Sequence, residues 1–469
     1  MRFTLMEFNI EYGGGLVDFQ GVLDAIEAGG ASVVAIEEAC GDMQTIADGL
    51  GWLYFDPRTQ VVSKHPLLAP EDTGGLFAYV EIQPGRVVAI VNVHLPDDRY
   101  GPFEIEGGHA GPERVVEIEK EVRLPWIEEP LRAASELAAS GVPVFVTGDF
   151  NAPSHLDYTE ATLGTRGHVK FPVDWPVSKR VEEAGFTDSF RVVHPDPVAD
   201  PGITWPAFRP HVDGYNPGPD GAVSDRIDFI YSGGPATPLS SVVLGEERAE
   251  GVDISTSPWP SDHRAIVSTF EVSPAPVPML LSAFPRLADE GEAVRIAYRI
   301  SEGSASVRRE VHVRSPGSDR LADRIELEET TPSDTVAFDT GRWEPGRYDV
   351  ALVDARGTAA ETTFWVQPKG GRPEISTSKP SYGVGEPVTV RWRFAPGNRA
   401  DWIAVYPRAV DPDPDRHRTW QHTRAAVEGS LMFDDRVRGF PLPPGEYAVH
   451  LLEDDGSKTL AAADFTVEH

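Results

Sequence analysis

The N-terminal part of the chain, residues 1–272, carries short polar motifs that end or interrupt apolar runs. Apolar runs of this length, bounded by polar residues, are typical of buried β-strands. In chain order the motifs are Asn9, Glu37-Glu38, Asn92-Val93-His94, Gly148-Asp149-Phe150-Asn151, Arg226-Ile227-Asp228 and Ser261-Asp262-His263. A site that cleaves phosphoesters needs such groups, because carboxylates hold a hard cation and an Asp–His pair handles protons.

Composition limits the number of domains and the kind of partner. With 469 residues the chain is too long for one hydrophobic core and should form two or three domains. Its net charge is −32, from 74 acidic against 42 basic residues. Non-specific binding of nucleic acid depends on Lys and Arg displacing counterions, so the charge disfavours that partner, and it also disfavours anionic membranes.

The lone Cys40 excludes internal disulfides and cysteine-based metal sites, and we expect it to be a small buried thiol. We expect no membrane insertion, since no apolar run is long enough to span a bilayer. Strand-like sequence begins at Arg2, where a signal peptide would otherwise lie. The protein is therefore expected to be cytoplasmic, or secreted with its leader removed from the numbering, and both options stay open.

Two proline-containing segments, residues 273–278 and 367–373, predict connectors between domains. The domains expected from these boundaries are residues 1–272, 279–367 and 374–469.

The last two domains repeat each other. Residues 291–299 match 385–393 position by position, and Pro-Gly-x-Tyr recurs at 345–348 and 444–447. A repeat this long indicates a duplicated domain, and its strict apolar–polar alternation predicts half-buried strands. Short strands with turn signals between them predict β-sandwiches, and Pro-Gly-x-Tyr resembles a turn of immunoglobulin-like or fibronectin-like modules.

Strand-like runs alternate with helical stretches in residues 1–272, which predicts a layered α/β domain with a sheet or sandwich at its centre. The helices are expected at 17–28, 43–50, 113–140 and 178–184, with Pro125 and Pro130 breaking the third of them.

Gly148-Asp149-Phe150-Asn151 is the strongest single motif. The run before it places Asp149 at the rim of a buried strand, and Gly148 allows a tight turn or the close approach of a ligand. An Asx turn that closes a strand explains the same residues equally well.

The other motifs also have structural explanations when taken singly. Asp262 and His263 project in different directions, so one can face a metal and the other phosphate, although a capping turn is commoner. Asp228 lies among apolar residues and needs a partner, for which a histidine is suited. His94 alone would be a satisfied core histidine. Glu37 and Glu38 close a strand on opposite faces; we expect Glu38 to ligate the metal, with Glu37 beside it.

The joint order of these motifs resembles the endonuclease/exonuclease/phosphatase superfamily over about residues 1–272. That superfamily includes pancreatic-type deoxyribonucleases, apurinic endonucleases, inositol polyphosphate 5-phosphatases and bacterial sphingomyelinases. The resemblance implies a four-layered α/β sandwich around two packed β-sheets. The fold class expected for the whole chain is this sandwich plus two all-β sandwich domains.

The resemblance also implies a divalent cofactor, Mg²⁺ or Mn²⁺, as one or two ions. Glu38 would be a direct ligand, and Asn9 and Asp262 would lie at the metal. Asp149 would position or activate the attacking water.

By the same resemblance, Asn151 and His94 would hold the scissile phosphate. Asp228 would orient His263, which would accept a proton or stabilise the transition state. Whether Asp149 or His263 is the base stays open.

Two residues depart from the family pattern. Lys64 stands where Arg is usual in a Ser-Arg-x-Pro segment, and Glu37 stands where Gln is usual before the metal ligand. An extra carboxylate can add a second metal ligand or raise a neighbour's pKa, so the number of ions stays open.

Connecting segments at 97–112, 153–176 and 205–224 are expected to form the rim of the site and to carry specificity. The expected substrate-binding residues are Tyr100, His155 and Trp205 from these segments, together with Lys64; the third segment also carries Phe208 and Tyr215. Such side chains suit a sugar-like, inositol-like or nucleotide-like body, but loop packing explains any one of them equally well.

The predicted function is metal-dependent hydrolysis of a small or glycan-linked phosphoester by direct water attack, as a phosphatase or phosphodiesterase. A nuclease fits the motifs equally but not the charge. A sphingomyelinase-like phospholipase would need an exposed apolar hairpin, and none is evident. The alternative of another class is an inactive binding or adhesion protein in which the β-modules are the working part.

Overall fold

The computed structural model describes residues 1–212, 223–300, 308–318, 320–328, 333–413 and 416–469. Tyr215, expected at the rim of the site, lies outside the described residues. The chain forms two compact units, Met1–Leu67 with Leu76–Ala275 and Leu68–Gly75 with Pro276–His469.

The first unit alternates strands and helices. Its strands are β1 (Arg2–Asn9), β2 (Val33–Glu37), β3 (Tyr54–Asp56), β4 (Val61–Ser63), β5 (Leu67–Leu68), β6 (Ala78–Gln83), β7 (Arg86–His94), β8 (Val144–Asp149), β9 (Thr187–Asp188), β10 (Asp228–Gly233), β11 (Ala236–Glu246), β12 (Ile254–Thr256), β13 (Ala265–Val272) and β14 (Ala275–Pro276). Its helices are α1 (Phe19–Gly29), α2 (Met43–Leu50), α3 (Gly101–Glu106), α4 (Pro112–Val122), α5 (Leu124–Ala139), α6 (Pro176–Glu183) and α7 (Ser189–Val193).

Two sheets form the centre of this unit. Their strand orders are β12-β11-β13-β1-β2-β4-β3 and β5-β6-β7-β8-β10-β9, with β14 beside β7. Leu5 and Val33 of the first sheet pack against Ile90 and Phe145 of the second. Helices α1 and α2 cover the outer face of the first sheet around Phe8, and α5 packs on β7 and β8. The four-layered α/β sandwich is therefore confirmed.

The long helical stretch breaks at only one of its two prolines. Helix α4 ends before Arg123, and Pro125 stands in the first turn of α5. Pro130 lies inside α5, so the expected break there is wrong. The helix continues past the proline because its buried face, which includes Ile127 and Leu131, packs on the sheet, and tertiary packing outweighs local propensity.

The described part of the second unit is almost entirely β-structure. Its strands are β15 (Leu280–Phe284), β16 (Leu287–Asp289), β17 (Ala293–Arg299), β18 (Glu310–Arg314), β19 (Leu321–Glu326), β20 (Ser333–Asp339), β21 (Gly346–Asp354), β22 (Gly357–Gln367), β23 (Glu374–Thr377), β24 (Ser381–Gly383), β25 (Val388–Arg393), β26 (Trp402–Pro407), β27 (Thr419–His422), β28 (Gly429–Phe433), β29 (Gly445–Leu452) and β30 (Thr459–Glu468).

These strands repeat one topology. The first module has sheets β15-β17-β20 and β16-β22-β21-β18-β19, and the second has β23-β25-β28 and β24-β30-β29-β26-β27. Each pair of sheets encloses its own core, around Ile296 and Leu352 in one module and Val390 and Leu451 in the other. The expected all-β modules are present. Both lie within one compact unit, so domains at 279–367 and 374–469 stay a prediction.

Among the described residues no helix combines the length and the apolar character needed to cross a bilayer. Cys40, expected to be buried, is only half-buried.

The repeated Pro-Gly-x-Tyr element forms the same tyrosine contact in both modules. The hydroxyl of Tyr348 donates to the carbonyl of Glu344, and that of Tyr447 donates to the carbonyl of Pro443, each at 2.8 Å. Such a bond holds the turn before β21 or β29 against the strand that follows.

We expect Tyr447→Phe to loosen the second module alone, because it removes one partly buried hydrogen bond of about 1 kcal/mol. Hydrogen exchange of the full chain, followed by mass spectrometry, should be several-fold faster in residues 445–452. Tyr348→Phe is the matched control and should affect residues 346–354 instead. Equal exchange in wild type and both variants would contradict this role for the hydroxyls.

Candidate active site

The site lies where the layer between the two sheets changes from apolar to polar. Alternate residues of a strand share a face, so Leu5, Glu7 and Asn9 of β1 all point into this layer. The neighbouring strands show the same change, through Ile90, Asn92 and His94 on β7 and through Phe145, Thr147 and Asp149 on β8.

Strand register brings three of the motifs together. His94 of β7 pairs with Asp149 of β8, and Asp149 pairs with Asp228 of β10. Directly paired residues have neighbouring side chains, so the three lie in a row across the second sheet.

Asn92 joins this sheet to the other one. Its Nδ2 donates to the carbonyl of Ile36 on β2 at 2.9 Å, and its Oδ1 accepts from the hydroxyl of Thr147 at 3.0 Å. Asn92 is buried, so these bonds fix the spacing of the sheets directly below the site.

The Oδ2 atom of Asp149 is the meeting point of the cluster. It accepts from the amides of Asn9 and Asn151, each at 3.2 Å. Nε2 of His94 lies 3.6 Å from the same oxygen, and Nε2 of His263 lies 3.7 Å from it. Burial raises the pKa of Asp149 well above its usual range; the charge of His263 opposes this shift.

His263 is held from the other side by Asp228. Its Nδ1 lies 3.1 Å from both carboxylate oxygens of Asp228, which leaves Nε2 directed at Asp149. Burial lowers the pKa of His263, but Asp228, Asp149 and Asp262 together outweigh burial and raise the pKa well above its usual value. The ring is therefore oriented by a buried carboxylate, and its raised pKa favours the protonated form.

Glu38 lies just beyond the end of β2, in the left-handed region at φ 56°. The N–H of Tyr12 donates to its Oε2 at 2.9 Å, and Asn9 donates to its Oε1 at 3.1 Å. Burial, followed by the charge of Asp262, raises the pKa of Glu38 to about 7. Asn9 thus bridges Glu38 and Asp149 through its NH₂ group, while its oxygen accepts from the N–H of Glu11 at 3.0 Å.

Asn151 is a second residue of the cluster with a left-handed backbone, at φ 48°. Its N–H donates to Oδ1 of Asp149 at 2.7 Å, and its side chain also reaches the carbonyl of Leu95 and the ring of His94. Non-glycine residues with such a backbone are uncommon and cluster at functional sites.

Gly148 serves strand packing rather than the approach of a ligand. Its φ is 132°, and a Cβ there would stand 1.8 Å from the carbonyl oxygen of Val93 on β7. No side chain fits at that distance, so the glycine lets β7 and β8 come close enough to align His94 with Asp149.

Glu37 faces the inner layer between the two sheets, on the same side as Glu7. Burial, followed by the charges of Asp228, Glu37 and Asp149, raises the pKa of Glu7 well above its usual range. An extra carboxylate was expected either to add a metal ligand or to raise a neighbour's pKa. Glu37 contributes to the raised pKa of Glu7, and the number of ions stays a prediction.

One further group was not evident from the sequence, and the contacts of Arg226 were not expected. Glu11 forms a buried ion pair with Arg209, with Oε1 accepting from Nη2 at 2.6 Å, and its Oε2 accepts from the N–H of Asp262 at 3.1 Å. Its place two residues after Asn9 was the available signal. Arg226 is buried and bonds Asp188 at 2.7 and 3.0 Å, so it anchors the start of β10 instead of facing a substrate.

Of the four expected substrate-binding residues, only Trp205 contacts the cluster in the described structure. Its Nε1 donates to Oδ2 of Asp262 at 3.2 Å. Tyr100 is buried, and its hydroxyl donates to Asp225 at 3.0 Å; its ring packs edge-on against Trp205.

The contacts of the other two lie elsewhere. Lys64 is exposed, with its ammonium 4.8 Å from the ring centre of Trp52. His155 bonds Ser178 and Glu182 of α6, each at 2.9 Å.

The donor set fits a divalent cation. Asp149, Asp228 and His263 offer ligand atoms within 4.8 Å of one another, and Glu38 reaches the same group through Asn9. Carboxylates that burial holds partly protonated gain a counter-charge when such a cation binds, and oxygen ligands suit Mg²⁺ and Mn²⁺.

The expected role of Glu38 as a metal ligand predicts a metal affinity that depends on pH. A carboxyl group with a pKa of about 7 must lose its proton before it can ligate, so affinity should rise as the pH passes through that value. We expect Mg²⁺ to bind about tenfold more tightly at pH 8 than at pH 6, as measured by titration calorimetry.

Glu38→Gln is the control for this measurement. It should bind the ion more weakly at both pH values and lose most of the pH dependence. An equal wild-type affinity at pH 6 and pH 8 would contradict Glu38 as a ligand.

Comparison with known proteins gives the following matches. Residues 6–263 match the model of the Endonuclease/Exonuclease/phosphatase family. An uncharacterized protein of Caenorhabditis elegans, F14F9.5, is 30% identical over 296 residues, which is 57% of this chain and 90% of that protein.

Solved structures with similarity include an endonuclease/exonuclease/phosphatase from Beutenbergia cavernae DSM 12333, at 17% identity and a TM-score of 0.36 over 78% of this chain and 99% of that one. D. rerio TDP2, complexed with a single-strand DNA product, matches at 14% identity and a TM-score of 0.31 over 58% and 99%. Since the family match spans more than half of the chain, and the relative is matched over 90% of its length, the chain belongs to the endonuclease/exonuclease/phosphatase family.

Proposed function

We propose that the protein is a divalent-metal-dependent hydrolase of a small or glycan-linked phosphoester, a phosphatase or phosphodiesterase that uses direct attack by water. The observation that carries the proposal is the convergence on Asp149 of the amides of Asn9 and Asn151 and the imidazoles of His94 and His263. Such a group of donors around one carboxylate suits a phosphoryl oxygen and a water molecule better than it suits an apolar ligand.

Glu38 would hold Mg²⁺ or Mn²⁺, with Asp262 beside it and Asn9 orienting the carboxylate. Burial raises the pKa of Glu38 to about 7, and a bound cation would supply the counter-charge that its carboxylate form needs. A bound divalent cation would neutralise charge on the non-bridging and leaving oxygens. The carboxylates of Asp149 and Asp228 would be available to a second ion.

Asp149 is the better candidate for the base. A bound cation would favour the carboxylate form of Asp149, which can then take a proton from water, whereas the raised pKa of His263 favours the form that donates. In this scheme the water oxygen bonds to phosphorus, its proton passes to Oδ2 of Asp149, and the bond to the leaving oxygen breaks. His263 donates from Nε2 to the charge that builds up on the phosphoryl group.

Asn151 and His94 would hold the phosphate. Asn151 is fixed by its own backbone N–H on Asp149 and by the carbonyl of Leu95, so little side-chain freedom remains to be lost when substrate binds. His94 is half-buried and faces the same oxygen of Asp149 from the neighbouring strand.

The charge of the chain favours a small substrate over a nucleic acid. A net charge of −32 repels a polyanion, whereas a single phosphoester can be balanced by one bound cation. The cluster is complete, with every expected catalytic side chain in contact with another, which argues against an inactive binding protein.

We expect Asp149→Asn to lower kcat for bis-p-nitrophenyl phosphate by about 10²–10⁴-fold, because the amide cannot accept the proton of water. EDTA should abolish wild-type turnover, and Mg²⁺ or Mn²⁺ should restore it. The assay follows release of p-nitrophenolate.

Asp48→Asn, an exposed acid on α2, is the matched control and should retain wild-type activity. Circular dichroism checks that both variants are folded. Turnover that survives EDTA, or an Asp149→Asn enzyme as fast as wild type, would refute the metal-dependent mechanism.

A further inference from the structure

Exposed aromatic side chains lie on several chain segments next to the candidate site. Phe208 is 84% exposed, Tyr12 51% and Phe103 43%. Exposed large aromatic rings lower solubility and are commonest where a ligand or a partner is bound. Each of these three lies on a segment that is bonded to the site or packed against it.

Phe208 is exposed on a backbone that is held in place. The N–H of Ala207 donates to the carbonyl of Asp262 at 2.6 Å, and the N–H of Phe208 donates to Glu246 at 3.0 Å. Arg209 follows immediately and is buried in its ion pair with Glu11. An apolar ring is therefore exposed on a backbone segment that is bonded to Asp262, which lies at the proposed metal position.

The Glu11–Arg209 ion pair links the segment of Phe208 to a second segment that carries an exposed ring. Tyr12 is the next residue after Glu11, as Phe208 is the residue before Arg209. The N–H of Tyr12 also donates to Glu38, which ties this ring to the proposed metal ligand.

A further set of rings adjoins Asp262. Trp205 donates to that carboxylate, and its ring lies 6.5 Å from His263. Phe103 and Tyr100 pack edge-on against Trp205, at 6.0 and 5.7 Å between ring centres. Two sets of aromatic residues thus lie on segments that are bonded to Glu38 or Asp262, Tyr12 with Phe208 and Trp205 with Phe103.

We propose that this aromatic rim, formed by Tyr12, Phe103, Trp205 and Phe208, selects phosphoesters in which the phosphate carries an uncharged planar group such as a nucleoside base. This rests on the function proposed above and narrows its substrate class. Flat rings stack on aromatic side chains with a useful gain in affinity whatever their hydrogen-bonding pattern. One planar group with one phosphate also avoids the repulsion that the −32 charge imposes on longer nucleic acids and on anionic lipid surfaces.

The test compares two diesters that release the same leaving group. Thymidine 5′-(p-nitrophenyl phosphate) carries a base, and methyl p-nitrophenyl phosphate does not. Wild-type enzyme with Mg²⁺ should show a higher kcat/KM for the thymidine ester. Phe208→Ala should lower the ratio of the two kcat/KM values about tenfold, mainly through KM, because a stacking surface is lost.

Three further variants show whether the effect depends on the ring of Phe208. Phe208→Tyr keeps the ring and should keep the ratio, whereas Phe208→Leu keeps apolar surface without a ring and should lower it. Trp126→Ala removes a ring that is 46% exposed on α5 and should leave the ratio unchanged.

The outcomes distinguish a failure of the aromatic rim from a failure of the proposed function. Hydrolysis of both esters with the same ratio in wild type and Phe208→Ala overturns the rim and leaves the hydrolase standing. Hydrolysis of neither ester overturns both. An unchanged ratio together with loss of binding to phosphatidylcholine vesicles in Phe208→Ala would replace the planar ligand by a lipid surface.

Discussion

The carboxylate of Asp149 receives contacts from four motifs, and strand register is what makes this possible. Pairing of β7 with β8 and of β8 with β10 sets His94, Asp149 and Asp228 side by side. Gly148 permits this pairing because no Cβ fits against the backbone of β7. A slip of one residue would turn the polar side chains to the opposite face, so one register determines both the packing below and the site above.

Four acids are buried in this layer, Glu7, Glu37, Asp149 and Asp228. His263 lies between two of them, 3.1 Å from Asp228 and 3.7 Å from Asp149. Gathering carboxylates in a buried layer is costly, so protonation or a bound cation would stabilise such a group. Burial is the largest cause of the raised pKa values of Glu7, Asp149 and Glu38. Metal binding at this cluster would therefore be coupled to protonation.

Much of this arrangement could be predicted from the sequence, because polar residues at the ends of apolar runs mark one edge of a sheet. The repeated modules were likewise evident in the matched segments of the chain. Period-two alternation also predicts that Glu7 and Glu37 face the layer between the two sheets, whereas the expected metal ligand was the next residue, Glu38. The Glu11–Arg209 pair and the contacts of Tyr100 and His155 depend on how loops fold back, which local sequence does not encode. Pro130 shows the reverse case, in which packing overrides a strong local signal.

The most direct test of this account is the position of a bound ion. Crystals grown with Mn²⁺ and measured at its absorption edge should show an anomalous peak about 2 Å from a carboxylate oxygen of Glu38, on the side of Asp149 and Asp262. A folded protein with full occupancy of Mn²⁺ at another place, or with none at this cluster under saturating metal, would contradict the metal centre on which the proposed chemistry depends.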